Sequence, residues 1–351
     1  MGAWYTTREA VKAALDFAET ARNNTQVDRA VEAASRQVDR LCNRHRGGFW
    51  PELRTRSFDW PSLAAPTPGR IWLDEPGLIT LTAVTSGGKT IPTSAVELYP
   101  DAGPPYTRIE IDRTTSYEFG LGSTPQKDVQ ITGLWGFDLN TAPAGTLAAA
   151  VSSTTATVLD VSDSSQVGVG DLLTVDAERL QVTGRAQLAT SVTLQGGGLA
   201  QSPAAVAATL SSGAGVAVGE ILTIDSERVR VDDITGNVAT VKRAVDGSVL
   251  AAHTAGAAVF APRRLTVVRG AFGTTAATHS NGAAVARHVY PGLVVQLAVA
   301  EAAAALQAES AAWARTAGAG ERGQSTDALG IAGLRQDVID AYGRSSRHRA
   351  V

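Results

Sequence analysis

Two stretches of this chain repeat themselves, at different spacings. Val169 to Leu180 (VGDLLTVDAERL) matches Val218 to Val229 (VGEILTIDSERV) at an offset of 49. Thr240 to Val259 matches Thr266 to Val285 at an offset of 26. Each copy consists of short apolar runs broken by glycine turns. Such runs fit strands, whose side chains alternate between faces, and not helices. A repeated supersecondary unit buries its apolar face against its own strands or against its neighbour. The stretch 142–288 therefore reads as an all-β repeat domain, one or two small barrels or sandwiches. Between Val151 and Ala261 stand 11 acidic and 6 basic side chains, a net of −5. The whole chain carries −3, which leaves +2 for the rest and marks the repeats as a separate unit.

The flanks have a different period. Thr6 and Glu9 have capping-box spacing ahead of a first helix carrying Val11, Leu15 and Ala18. After Asn23-Asn24, a second helix from near Thr25 places Val27, Val31, Ala34, Val38 and Leu41 on one stripe. Strand signals follow at 70–73, 78–84, 96–99, 107–111 and 128–132. Pro291 then opens a helix reaching about Trp313, 318–325 is a break, and a last helix runs to Tyr342. The expected fold is α+β: a discontinuous helical body with short strands over 1–141 and 289–351, carrying the inserted β domain 142–288.

Composition narrows function. A net charge of −3 argues against a general nucleic-acid binder. Arginine outnumbers lysine 27 to 4, a bias that a GC-rich genome explains. The single cysteine, Cys42, permits no intrachain disulfide. Residues 1–16 lack the apolar core of a signal peptide. Gln296 and Glu301 interrupt the apolar run 291–307, which reads as too short and too polar to span a bilayer. No membrane association is expected.

The strongest candidates for chemistry are the duplicated Asp176/Glu178/Arg179 and Asp225/Glu227/Arg228. Paired carboxylates could serve a glycosidase or hold calcium. Their duplication favours hairpin tips, with each acid meeting its neighbouring arginine in solvent. His253 and His279 occupy equivalent positions, too few for a zinc site, and read as turn-capping or packing groups. Cys42 with His45 reads as a structural thiol. The glycine clusters at 120–122 and 196–198 match no nucleotide fingerprint. No catalytic residue, metal ligand or cofactor is expected. Arg36, Arg40, Arg44 and Arg46, continued by Arg54 and Arg56, form a basic stripe that suits a solvated face, an acidic protein or passing DNA. A basic C-terminal tail carries Arg344, Arg347, His348 and Arg349.

Three features in order resemble a known family. They are Tyr5-Thr6-Thr7-Arg8-Glu9-Ala10-Val11-Lys12-Ala13-Ala14-Leu15 with Asp28 to Asp39, the strand Val129 to Gly136, and the Pro291 helix followed by Tyr342-Gly343-Arg344. Together they resemble the head-to-tail adaptor (connector, head-completion) proteins of long-tailed phages, over about 1–140 and 289–351. The β insert is where this chain departs from many members. The resemblance implies a virion protein of the head–tail neck, made in the host cytoplasm, that catalyses nothing. It implies a homo-oligomeric ring of about twelve subunits that extends the DNA channel. One face would meet the portal protein and the other the next neck protein, a stopper or tail terminator. Tyr342, Arg344, Arg347, His348 and Arg349 would dock on the portal. The alternative function is a tail-associated glycan-binding, adhesin-like protein that uses the repeats.

Overall fold

A computed structural model describes residues 2–15, 23–44, 47–60, 69–73, 77–314 and 326–343. Strand accounts for 38% of the described residues and helix for 22%, so the expected helical body is incorrect. The error lies in the weight given to the strands before residue 141. They are not trim on a helical core but build a core of their own.

The chain opens with α1 (Arg8–Ala14) and α2 (Asn24–Leu41). Thr7, not Thr6, caps α1: its hydroxyl accepts from the Ala10 N–H. Glu9 does not close a capping box; its Oε2 accepts from the Val169 N–H at 2.8 Å. Seven strands follow: β1 (Glu52–Phe58), β2 (Arg70–Trp72), β3 (Gly77–Ser86), β4 (Lys89–Ile91), β5 (Val96–Tyr99), β6 (Arg108–Ile111) and β7 (Val129–Gly136). They form two antiparallel sheets, β1-β7-β3-β4 and β2-β6-β5. Leu78, Val84, Ile131 and Trp135 from the first share one apolar core with Ile71, Val96 and Ile109 from the second.

The repeats hold β8 (Thr141–Thr146), β9 (Val158–Asp160), β10 (Leu172–Val175), β11 (Glu178–Thr193), β12 (Ala207–Thr209), β13 (Ile221–Ile224), β14 (Glu227–Thr235), β15 (Val238–Lys242), β16 (Ala258–Val268) and β17 (Ala284–His288). All belong to one ladder, β12-β15-β14-β13-β16-β11-β10-β17-β8, with β9 on β16. The ladder contains the same six-strand barrel twice. In the first barrel β9, the end of β16, the start of β11, β10, β17 and β8 are neighbours. In the second, β12, β15, β14, β13, the start of β16 and the end of β11 take those places. The bridges Leu147–Val161 and Leu194–Leu210 close the two rings at equivalent points.

The second barrel is nested inside the first. Its β14–β15 hairpin is closed by a short turn at Gly236. At the same place in the first barrel, β11 and β16 run on as a ribbon and become strands of the second. Nesting accounts for both offsets. Glu178 and its partner Arg269 lie 91 residues apart, and Glu227 and Arg243 lie 16 apart. The difference of 75 is the offsets of 49 and 26 taken together. The cores correspond almost residue for residue: Leu147, Leu173, Leu180 and Val285 in one, Leu194, Leu222, Val229 and Val259 in the other. Both are filled by aliphatic side chains, which suits narrow barrels with no room for a ligand.

After His288 the chain returns to α3 (Gly292–Ala314) and α4 (Thr326–Tyr342). α3 is long and apolar enough to cross a membrane by length and composition, which the expectation for 291–307 had excluded. Here one face of it packs in the core. Val294, Leu297 and Ala298 join Tyr5, Val38 and Phe49, while Ala302 and Leu306 join Val27 and Val31 of α2. Glu301 is tied to Arg335 of α4.

Candidate functional site

Both Asp-x-Glu-Arg motifs lie at two-residue hairpin tips, β10–β11 and β13–β14. Asp176 and Asp225 take the left-handed conformation there, both at φ 52°, which aspartate tolerates better than most residues. The glutamates leave solvent: Glu178 and Glu227 side chains are 0% exposed. Their cations are not the adjacent Arg179 and Arg228, as expected, but Arg269 and Arg243, which follow the neighbouring strands β16 and β15. Arg269 Nε and Nη2 each donate to Glu178 at 2.7 Å. Arg243 does the same to Glu227, also at 2.7 Å.

The surrounding bonds are duplicated as well. Gly270 and Ala277 N–H groups donate to Glu178, and Ala244 and Ala251 N–H groups to Glu227. The histidines complete the networks. His279 Nδ1 lies 2.7 Å from Asp176 and Nε2 2.9 Å from Glu178; His253 stands 2.7 Å from Asp225 and 3.0 Å from Glu227. Each histidine thus bridges the exposed and buried acids of one motif. Burial pushes each glutamate's pKa upward. The bidentate arginine, two backbone N–H groups and the histidine outweigh it and hold each at about 2. A glycosidase acid needs the opposite shift. These constellations are latches that pin each hairpin tip to the end of the neighbouring strand, with both oxygens of each buried glutamate occupied.

A third buried pair joins the barrels. Glu220 takes a bidentate contact from Arg263 and accepts from the Ser164 hydroxyl and N–H of the first barrel. Its counterpart Asp171 faces the body. There burial raises its pKa to about 7, against the opposing pull of Arg287 and the Gly168 N–H. Nearby His288 is buried against Tyr290, ring centroids 4.7 Å apart, and burial with Arg179 lowers its pKa to about 4.

The basic stripe does not lie on one open face. Arg36 lies over the Tyr5 and Trp50 rings and pairs with Asp39, and Arg44 is buried over Phe49 and Phe137. Arg40 is exposed. Arg54 pairs with Glu52, and Arg56 covers Trp135. Tyr342 packs edge-on against Phe49 and Phe137, inside the aromatic cluster that ends the body. Arg46, Arg344, Arg347, His348 and Arg349, with His45 and the 318–325 break, lie outside the described residues. Cys42 is buried in the helical core. Sequence reasoning missed Arg243 and Arg269. The signal was present, since both lie inside the 26-residue repeat. Compared with known proteins, the chain matches no family model, no curated protein and no solved structure.

Proposed function

We propose that this protein is a structural subunit of the head–tail neck of a long-tailed phage. Copies form a ring of about twelve around the DNA channel. One face of the ring meets the portal and the other meets the next neck protein. The observation that carries a structural role is the closure of both acid–histidine–arginine sets on themselves. The residues most suited to chemistry are spent holding hairpins. The ordered resemblance of both ends of the chain supports the particular assembly. That order does not depend on a helical body, and the strand-rich body is part of the reading. The carbohydrate-binding alternative loses support, because stacking a sugar needs exposed aromatics. Phe272 is half-buried against Trp50, Tyr290 is buried, and Phe260 alone of the three aromatics around the repeats is exposed.

The test is quantitative mass spectrometry of purified phage particles, normalised to the portal protein. A copy ratio near one to the portal is the expected result. Absence from the particle, or a count matching capsid or tail-tip proteins, overturns the reading.

A further inference from the structure

The body covers one outward face of the first barrel. Leu172 on that face is buried in the helical core, and Gln181 opposite it is buried too. The equivalent residues of the second barrel are Ile221, half-buried, and Arg230, exposed. One row along on the first barrel, Thr174 stands between Arg179 and Ala286. His288 lies two residues beyond Ala286 and so shares its face. Thr174 and Ala286 are small and half-exposed. His288 is 2% exposed, and Tyr290, packed against it, is 7% exposed. The face thus passes from half-exposed small side chains to a buried histidine and tyrosine.

The polar atoms along this path lack partners. His288 Nδ1 and Nε2, the Tyr290 hydroxyl and Arg179 Nη1 are all buried, and none has a hydrogen bond among the described residues. Arg179 lies within electrostatic reach of His288. Burial lowers the pKa of Arg179, and no acid opposes that shift. The second barrel is built differently. There Arg228, the equivalent of Arg179, has Asp246 at 4.0 Å. The offset of 26 puts Phe272 at the place of Asp246 and His288 at that of Pro262. The first barrel thus has an aromatic group where the second has its acid, and a histidine besides. Two acids do lie near. Asp138 Oδ1 is 3.8 Å from His288 Nε2, and Asp171 is within electrostatic reach of Tyr290. Each has its own arginine: Arg44 acts on Asp138, and Arg287 stands 3.8 Å from Asp171. Arg179 is the cation left over.

We propose that Arg179, His288 and Tyr290 bind a small inorganic oxyanion at the seam between the first barrel and the body. A guanidinium, an imidazole N–H and a phenol O–H are all donors to such an ion. A desolvated cation without a counter-ion is costly, and an anion beside it removes that cost. The burial of His288 and Tyr290 selects a free ion, phosphate or sulfate, over the backbone of a duplex, whose bulk the covering body keeps out. Arg179 and His288 belong to barrel strands, whereas Tyr290 joins Tyr5 and Phe49 in the core of the body. The ion would therefore bind only when barrel and body are docked, and it should tighten the seam. The proposal goes beyond the neck reading and stands without it.

Inorganic phosphate titrated into the full chain, against chloride at equal ionic strength, tests it. Calorimetry should show saturable binding at one site, and the unfolding midpoint should rise with phosphate and not with chloride. The His288 ring, followed by NMR, should titrate about one pH unit or more higher when phosphate is bound, because an anion beside it favours the charged form. Arg179→Gln should weaken phosphate binding about tenfold or more, and Tyr290→Phe, which keeps the ring, should weaken it severalfold. Arg228→Gln, the matching change on the second barrel, should leave binding as it is. Should Arg179→Gln fail to fold, the His288 shift and Tyr290→Phe still decide. Absence of saturable binding, or chloride acting as well as phosphate, overturns the proposal. Binding that survives Arg179→Gln unchanged means an adventitious ion only and overturns it too. So does a crystal structure grown in phosphate that shows only water between Arg179 and His288.

Discussion

At the scale of single residues, each barrel depends on a buried glutamate matched by a bidentate arginine. Removing one member of a buried ion pair leaves the other uncompensated. Arg269→Ala and Arg243→Ala are each expected to cost about 3–5 kcal/mol, read from urea unfolding. Arg264→Ala, which breaks an open pair with Asp160, should leave the urea midpoint nearly unchanged. The pH response has two opposed parts. Glu178 and Glu227 lie at about 2, below their ordinary 4.5, so the stability they supply is complete above about 4.5 and is lost as pH falls through about 2. Asp171 is raised to about 7 from 3.8, so its contribution is complete below about 3.8 and lost as pH rises through about 7. Asp171→Asn should therefore flatten the decline in unfolding midpoint between pH 4 and 8; an unchanged slope would refute the assignment. The duplicated acids were legible in the sequence. Arg243 and Arg269 were visible as repeat positions, but not their pairing with these acids, because a carboxylate at a hairpin tip reads the same whether it faces water or the neighbouring strand.

At the scale of elements, one loop shows how context divides two copies of a motif. The first barrel's loop at Gly168 and Val169 receives the start of α1. The Arg8 N–H donates to the Val169 carbonyl at 3.0 Å, and Glu9 accepts from the Val169 N–H. A Cβ on Gly168 would meet the Thr7 Cβ at 2.6 Å and Glu9 Oε2 at 2.7 Å. The second barrel carries Ala217 there, and its Val218 is 53% exposed where Val169 is 1%. Gly168→Ala should loosen the N-terminal segment and spare the barrel. Faster amide exchange over 2–15 with unchanged exchange in β10 and β17 is the expected result. The capping motif was visible in sequence one residue out of register. Thr7 rather than Thr6 wins the cap because Glu9 is drawn away to a distant loop.

At the scale of the whole molecule, a nested duplication separates cleanly into parts. Ala186 and Arg264 stand opposite each other across β11 and β16, as Thr235 and Val238 do at the second barrel's turn. Replacing 187–263 by Gly-Asn should leave the first barrel and body folded. Circular dichroism and a compact scattering radius would show it; aggregation would mean that the Glu220–Arg263–Ser164 junction supports both barrels. The sequence by itself determined the repeats, their two offsets, the strand period and the amphipathic stripe of α2, because those patterns are local and periodic. Only the tertiary structure decided that the body holds two sheets of its own, that one barrel lies inside the other, and that the outward face is buried on one copy and bare on its twin. Those outcomes depend on which distant strands pair and what packs against them, and an offset in sequence is the same whether two units stand side by side or one within the other.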